Sequence, residues 1–456
     1  MSQPIKYYST NHQSDMVSFR EALLKGQAPD RGLYMPERIP QFTRDEIAGF
    51  SKLPYHEIAY QVVSRFLQDE VPADDLKVIM KDAYNFEVPL EKVYNRNYIM
   101  RLDQGPTASF KDFAARMMGR LMNYFLRQEN RKMLILTATS GDTGSAIANA
   151  FYGLDNIKVV ILYPETEVTD RQRKQMTTLH KNISVIALDG KFDDCQALVK
   201  KAFSDSDLDY LELSSANSIN IGRLIPQSVY YFYAFSRLAK DMNDEIIFSV
   251  PSGNFGDLMG GIIARHMGLP VKRFVISTNE NDEVPVYFQS GNYKTIVPSR
   301  NCISSAMNVG HPSNMARIID LYGGRMDEKG NILKEPDASK LKRDMSAVSI
   351  SDADTKATIK RVYESHKILL EPHGSVGWTG LQNYYKNTPA DDKDTQLSVT
   401  LETAHPAKFP QEINEILGID PVLPPSLSSL EGKDEIMVSM KHDYAKFKEY
   451  LMKNFK

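Results

Sequence analysis

A lysine in the first turn of a helix sits where exposed N–H groups already carry positive charge, and the sequence puts Lys111 in such a place. Apolar residues recur at Phe110, Phe113, Ala114, Met117, Met118, Leu121, Met122, Phe125 and Leu126, the stripe of an amphipathic helix. Gly105 and Pro106 supply a lead-in turn. Ser109 stands at the N-cap position, and Asp112 completes a capping box. A neutral amine suits this position better than an ammonium, and a lysine of lowered pKa is what Schiff-base chemistry with a carbonyl cofactor requires. Taken alone, the residue reads better as a lysine that swings into water at a cost of roughly 0.3 kcal/mol.

Two further segments join a β-rich run to a helix through glycines: Ser140, Gly141, Asp142, Thr143 and Gly144, then Ser252, Gly253, Asn254, Phe255, Gly256 and Asp257. Glycines there let backbone N–H groups converge, and the helix start behind them favours an anion. Both are candidate cradles for phosphate or carboxylate. Neither has the P-loop lysine or the spacing of a dinucleotide fingerprint, and such a loop alone is as readily a plain tight turn. A third cluster, Leu401 to Pro410, follows a β-rich run at what would be the ligand-binding edge of a parallel sheet. By itself it reads as a solvated strand end carrying His405 and Lys408.

The elements that must position these groups follow from periodicity. Residues 1–95 read as a helical N-terminal region, with helices near 18–25, 55–66 and 73–83. Residues 96–235 and 236–456 read as two α/β domains, because short β-rich runs at 133–139, 157–163, 182–188, 245–250 and 271–277 alternate with amphipathic stretches. Pro226 is expected to kink a long helix at 221–238. Residues 279–345 read as an irregular insertion at a sheet edge, residues 421–429 as a linker, and 434–456 as a packed helical tail.

With 456 residues, 42% apolar content and a formal charge of −3, the chain is of ordinary globular type and long enough for large cores. That charge disfavours nucleic acid and anionic membranes as partners, and no apolar run approaches the ~20 residues that span a bilayer. The N-terminus lacks a signal or transit pattern. Cys195 and Cys302 have no metal-type spacing and read as packed thiols, so a cytoplasmic protein without a metal site is expected.

Taken in order, the segments 7–10, 32–36, 105–113, 140–144, 253–257 and 403–409 resemble the bacterial and fungal branch of the threonine synthase family. The resemblance implies a fold-type II pyridoxal-phosphate enzyme like the tryptophan synthase β chain. It is expected to convert O-phosphohomoserine and water into threonine and phosphate as a monomer or homodimer. It also implies Lys111 as the Schiff-base lysine, Gly253, Asn254, Phe255, Gly256 and Asp257 around the cofactor phosphate, and Thr403 facing the pyridine nitrogen. Thr139, Ser140 and Thr143 would seat the substrate carboxylate. Asn217, Ser218, Asn220, Arg223, Ser313 and Asn314 are the candidates for the substrate phosphate. Related enzymes place Asn where Asp142 stands, so Asp142 is expected to turn from the cofactor and cap its helix. A serine or threonine dehydratase of the same fold is the competing reading.

Overall fold

The computed structural model describes residues 4–67, 70–388 and 391–455. Strand and helix alternate as their periods dictate and build two large sheets, beside two small two-stranded ones. The first sheet runs Val438–Lys441, Ile183–Asp189, Ile157–Pro164, Met133–Ala138, Leu213–Ser214, and every neighbouring pair is parallel. The second runs Met345–Ser349, Val271–Thr278, Ile246–Pro251, Leu397–Glu402, Asn97–Arg101, Leu90–Tyr94; only its last pair is antiparallel. Helices cover both sheets, so the inner strands Met133–Ala138, Ile246–Pro251 and Leu397–Glu402 are buried at every residue.

Parallel neighbours bring their C-terminal ends to the same edge. Ile246–Pro251, Leu397–Glu402 and Asn97–Arg101 are consecutive in the second sheet, so the Gly253 loop, Thr403 and the lead-in to Lys111 emerge side by side. In the first sheet, Met133–Ala138 and Leu213–Ser214 are neighbours and place the Ser140 loop beside residues 215–223. Thr137 Oγ1 donates to Asn217 Oδ1 at 2.6 Å and ties those two segments together.

Aromatic packing anchors the Lys111 helix, Lys111–Glu129. Phe113 meets Tyr55 at 5.4 Å, Phe86 at 5.0 Å and Tyr230 at 5.6 Å between ring centroids. Each such contact is worth about 0.5–1.5 kcal/mol beyond the area it buries. The helix Tyr55–Leu67 and the residues Tyr84 and Phe86, just past the helix Ala73–Ala83, thus fix the first turn of the Lys111 helix from behind.

Several expectations are corrected. The boundary near residue 95 cuts the antiparallel pair Leu90–Tyr94 and Asn97–Arg101, which belongs to the sheet of the last segment, because backbone pairing ignores sequence contiguity. The C-terminal tail forms a strand as well as the helix Tyr444–Asn454, and both pack on the first sheet, burying Phe447 and Leu451. Pro226 lies in the first turn of the helix Ile225–Leu238, where its missing N–H costs nothing, and kinks nothing. Residues 279–345 hold the helices Glu283–Ser290, Met315–Leu321 and Ala338–Asp344. The supposed linker includes a short helix, Pro425–Ser428, whose Leu427 packs on Ala108 and Ala407.

Candidate active site

Lys111 does open its helix, but without the expected capping box. Ser109 pairs by backbone with Ala404, its hydroxyl has no partner among the described residues, and Phe110 occupies the N-cap without a side-chain bond. Asp112 instead reaches back: its carboxylate accepts from Thr107 N–H at 2.8 Å and Thr107 Oγ1 at 2.6 Å. Gly105 permits this, since a Cβ there would lie 2.4 Å from Asp112 Oδ2. The backbone of Ala108 pays with a left-handed φ of 54°.

Asp142 neither turns away nor caps. Its Oδ1 pairs with Lys408 Nζ at 2.7 Å and accepts from Gln172 Nε2 at 2.9 Å, and its Oδ2 lies 3.8 Å from Lys111 Nζ. Burial alone would raise the Asp142 pKa, but Lys408 and then Lys111 outweigh it and hold the carboxyl well below its usual range. Lys408 is fully buried, so the reading of a solvated strand end fails. The apolar neighbours Ala407 and Phe409, both buried, were the available signal for a lysine directed inward. Burial lowers the Lys111 pKa and is the largest cause; Asp142 opposes it, while Lys408 and Arg223 add to it. The sequence argument reached the right direction through the helix dipole, whereas desolvation does most of it.

The Gly253 loop leads into the helix Gly256–His266, whose start leaves the earliest N–H groups without an intrahelical acceptor. The left-handed residue is Phe255, with φ 61°, rather than a glycine. Gly253 is required for closeness instead: a Cβ there would lie 2.9 Å from the Ala306 carbonyl oxygen. Asn254 is exposed, and its carbonyl accepts from Asn314 Nδ2 at 2.9 Å. The Asp257 side chain turns back onto Leu258 N–H at 2.8 Å, and burial pushes its carboxyl up to about 6. At the end of its strand, Thr403 is buried and its hydroxyl donates to Glu371 Oε1 at 3.4 Å.

In the Ser140 loop, Thr139 Oγ1 is already engaged, accepting from Gly141 N–H at 2.9 Å and Gly144 N–H at 2.7 Å. It shapes the turn, leaving Ser140 and Thr143 half-buried and open to a ligand. Asn220 is fully buried and satisfied by Leu23, Ser215 and Gly222, so it holds its loop together and drops out as a ligand-binding group. Asn314 is likewise spent on Ser218, Asn254 and Arg317. Ser218 and Ser313 do meet, Oγ to Oγ, at 3.2 Å. Arg223 is buried with Nη1 donating to the Ala216 carbonyl at 2.6 Å and Nε without a partner among the described residues. Burial brings its pKa down to about 10.

One residue of this site was missed altogether. Arg317 is fully buried and donates to the carbonyls of Tyr34, Ser218 and Ile219 and to Asn314 Oδ1. It clamps the Ser218 and Ser313 segments onto each other. Its helix was legible in the apolar spacing of Met315, Ile318 and Ile319, inside a stretch read as irregular. A separate cavity of about 580 Å³, bordered by Arg101, Leu369, His405 and Pro421, is not lined by Lys111 or either glycine loop.

Comparison with known proteins agrees with this arrangement. Residues 6–84 match the family described as "Threonine synthase N terminus", 88–400 "Pyridoxal-phosphate dependent enzyme", and 376–451 "Threonine synthase, C-terminal". The chain is similar to the threonine synthase of Haemophilus influenzae, 40% identical over 450 residues that cover 98% of this chain and 99% of that protein. It is also similar to the crystal structure of PLP-bound threonine synthase from Brucella melitensis, with TM-score 0.92, 35% identity and coverage of 99% and 100%. The yeast threonine synthase structure follows at TM-score 0.90, 30% identity and 98% of each chain.

Proposed function

The chain belongs to the threonine synthase family, and we propose that Lys111 holds pyridoxal phosphate in its conversion of O-phosphohomoserine and water to L-threonine and phosphate. The observation that carries this reading is the buried Lys111 amine of lowered pKa beside the opening of two glycine loops. The donor set suits the cofactor: N–H groups of Gly253 to Asp257 for its phosphate, the Thr403 hydroxyl for its pyridine nitrogen, and a reactive amine between them. When bound, the cofactor supplies the electron sink for losing protons from carbon.

The chain's own residues do the rest. Lys111 Nζ, neutral once released by substrate, takes a proton from the substrate and returns it at a neighbouring carbon. Ser140 and Thr143, with the open N–H groups of their loop, seat the substrate carboxylate. Arg223, with Asn217, Ser218 and Ser313 beside it, receives the departing phosphate. Arg317 and Asn314 hold that segment in place. We place the enzyme in the cytoplasm as a monomer or homodimer, with no nucleic-acid or membrane partner; among the described residues no helix is long and apolar enough to cross a membrane.

Two experiments test this. The purified protein with O-phosphohomoserine should release threonine and phosphate in equal amounts and leave serine nearly untouched. Deamination of serine with no phosphate release would favour the dehydratase reading. Gly253→Val should weaken pyridoxal-phosphate binding at least tenfold, about 1.4 kcal/mol, because the added Cβ meets the backbone of Ala306 and Met307. Unchanged affinity, measured by equilibrium dialysis, would remove this loop from the cofactor.

A further inference from the structure

Lys408 is the second lysine of the site, and the chemistry above makes no use of it. Its ammonium lies 2.7 Å from Asp142 Oδ1 and donates to the Thr107 carbonyl at 2.9 Å. Lys111 stands farther out, 3.8 Å from the other oxygen of that carboxylate and 4.6 Å from the centre of the Phe110 ring. Gln172 donates to the oxygen that faces Lys408, so the carboxylate is held in that orientation. Two ammonium groups therefore compete for one buried carboxylate, and Lys408 has the closer contact and an additional acceptor.

The charged and titratable groups acting on Lys111 from the elements around it are Asp142, Lys408, Arg223 and Asp257. Asp257 is itself driven toward its neutral form by burial. With Asp142 bound to Lys408, a protonated Lys111 would stand near Arg223 in a poorly solvated interior, with only Asp257 and, beside Lys408 and Arg223, Asp112 to balance the charge, and burial pushes both of those carboxyls up. Burial and the nearness of Lys408 both work against a proton on Lys111.

We propose that Lys408 is a positioning residue: it takes Asp142 as its own counter-ion and so leaves Lys111 an uncharged amine, able to attack the cofactor's aldehyde carbon. The ammonium proton of Lys111 goes to solvent, the amine nitrogen forms the bond to carbon, and the aldehyde oxygen leaves as water with the two hydrogens of the neutral amine. The proposal rests on Lys111 being the cofactor lysine.

Pyridoxal-phosphate attachment, followed across pH by the visible absorbance of the protein, tests this in wild type, Lys408→Met, Lys408→Gln and the double variant Asp142→Asn/Lys408→Met. Removing Lys408 leaves Asp142 facing Lys111 alone, which stabilises the ammonium, so the pH midpoint for attachment should rise by roughly one unit in both single variants. The double variant removes the carboxylate too and should return to the wild-type midpoint or below. A lysine that only supports the fold would change the melting temperature and leave the midpoint where it was, which would overturn the proposal. If the single variants do not fold, the double variant still decides, because replacing a whole buried pair is often tolerated; a midpoint above wild type would then contradict the idea. Peptide mapping after borohydride reduction separates the two levels. Label on another lysine in wild type defeats the Lys111 assignment itself, while label on Lys111 with unshifted midpoints defeats only the role of Lys408.

Discussion

Lys111→Ala should lose turnover of O-phosphohomoserine by at least roughly 10²–10⁴-fold, the scale of removing a positioned acid–base group, while keeping its fold. The expectation of a folded variant comes from the surroundings of the amine. Among the described residues Lys111 Nζ meets Asp142 at 3.8 Å and the Phe110 ring, and its burial already disfavours its charge, so its loss removes little that stabilises the native state. The helix it opens is anchored by Phe113 one turn on, against Tyr55, Phe86 and Tyr230. A melting temperature near wild type with no visible absorbance from the cofactor is the expected pair of results. Substantial turnover by the variant would transfer the chemistry to another residue.

Arg223→Ala should lower kcat/KM for O-phosphohomoserine by about ten- to a hundredfold, from about 1.5–3 kcal/mol for a charge-assisted contact with a phosphate. A buried arginine is ordinarily paired with a carboxylate, and among the described residues none bonds to this one. Its Nη1 reaches a carbonyl, and its Nε is left over. A guanidinium kept in this condition is stabilised when an anion arrives. Free phosphate should therefore inhibit the wild type and inhibit the variant much less, with the cofactor absorbance unaffected in both. Equal inhibition would shift the leaving-group site toward Ser218 and Ser313, whose hydroxyls face each other nearby.

Features set by local chain chemistry were legible in the sequence. The helix near 18–25 is observed as Phe19–Lys25, capped by Ser18 and ended by Gly26, and the helix at 73–83 as Ala73–Ala83. The strand–glycine–helix joints at 140 and 253 lie where alternating periodicity put them, at the edges of parallel sheets. What escaped depends on pairing between distant segments. Asp142 looked like a cap because nothing in its neighbourhood announces Lys408, and Lys408 looked solvated because its carboxylate belongs to the other sheet. Asn220 and Asn314 have the right side chains for a phosphate, yet the backbone of neighbouring loops consumes them first. Lys111 was found through a helix-start argument whose location was right and whose details were not, since Asp112 binds Thr107 instead of completing a box with Ser109.

The two lysines that share Asp142 give the most direct test of the assignment. Reduction of the cofactor-loaded enzyme with borohydride fixes the cofactor to whichever amine holds it, and peptide mass mapping then reads the position. The label should fall on Lys111, in the peptide that begins the helix Lys111–Glu129. A label on Lys408, or no covalent label at all, would contradict the account.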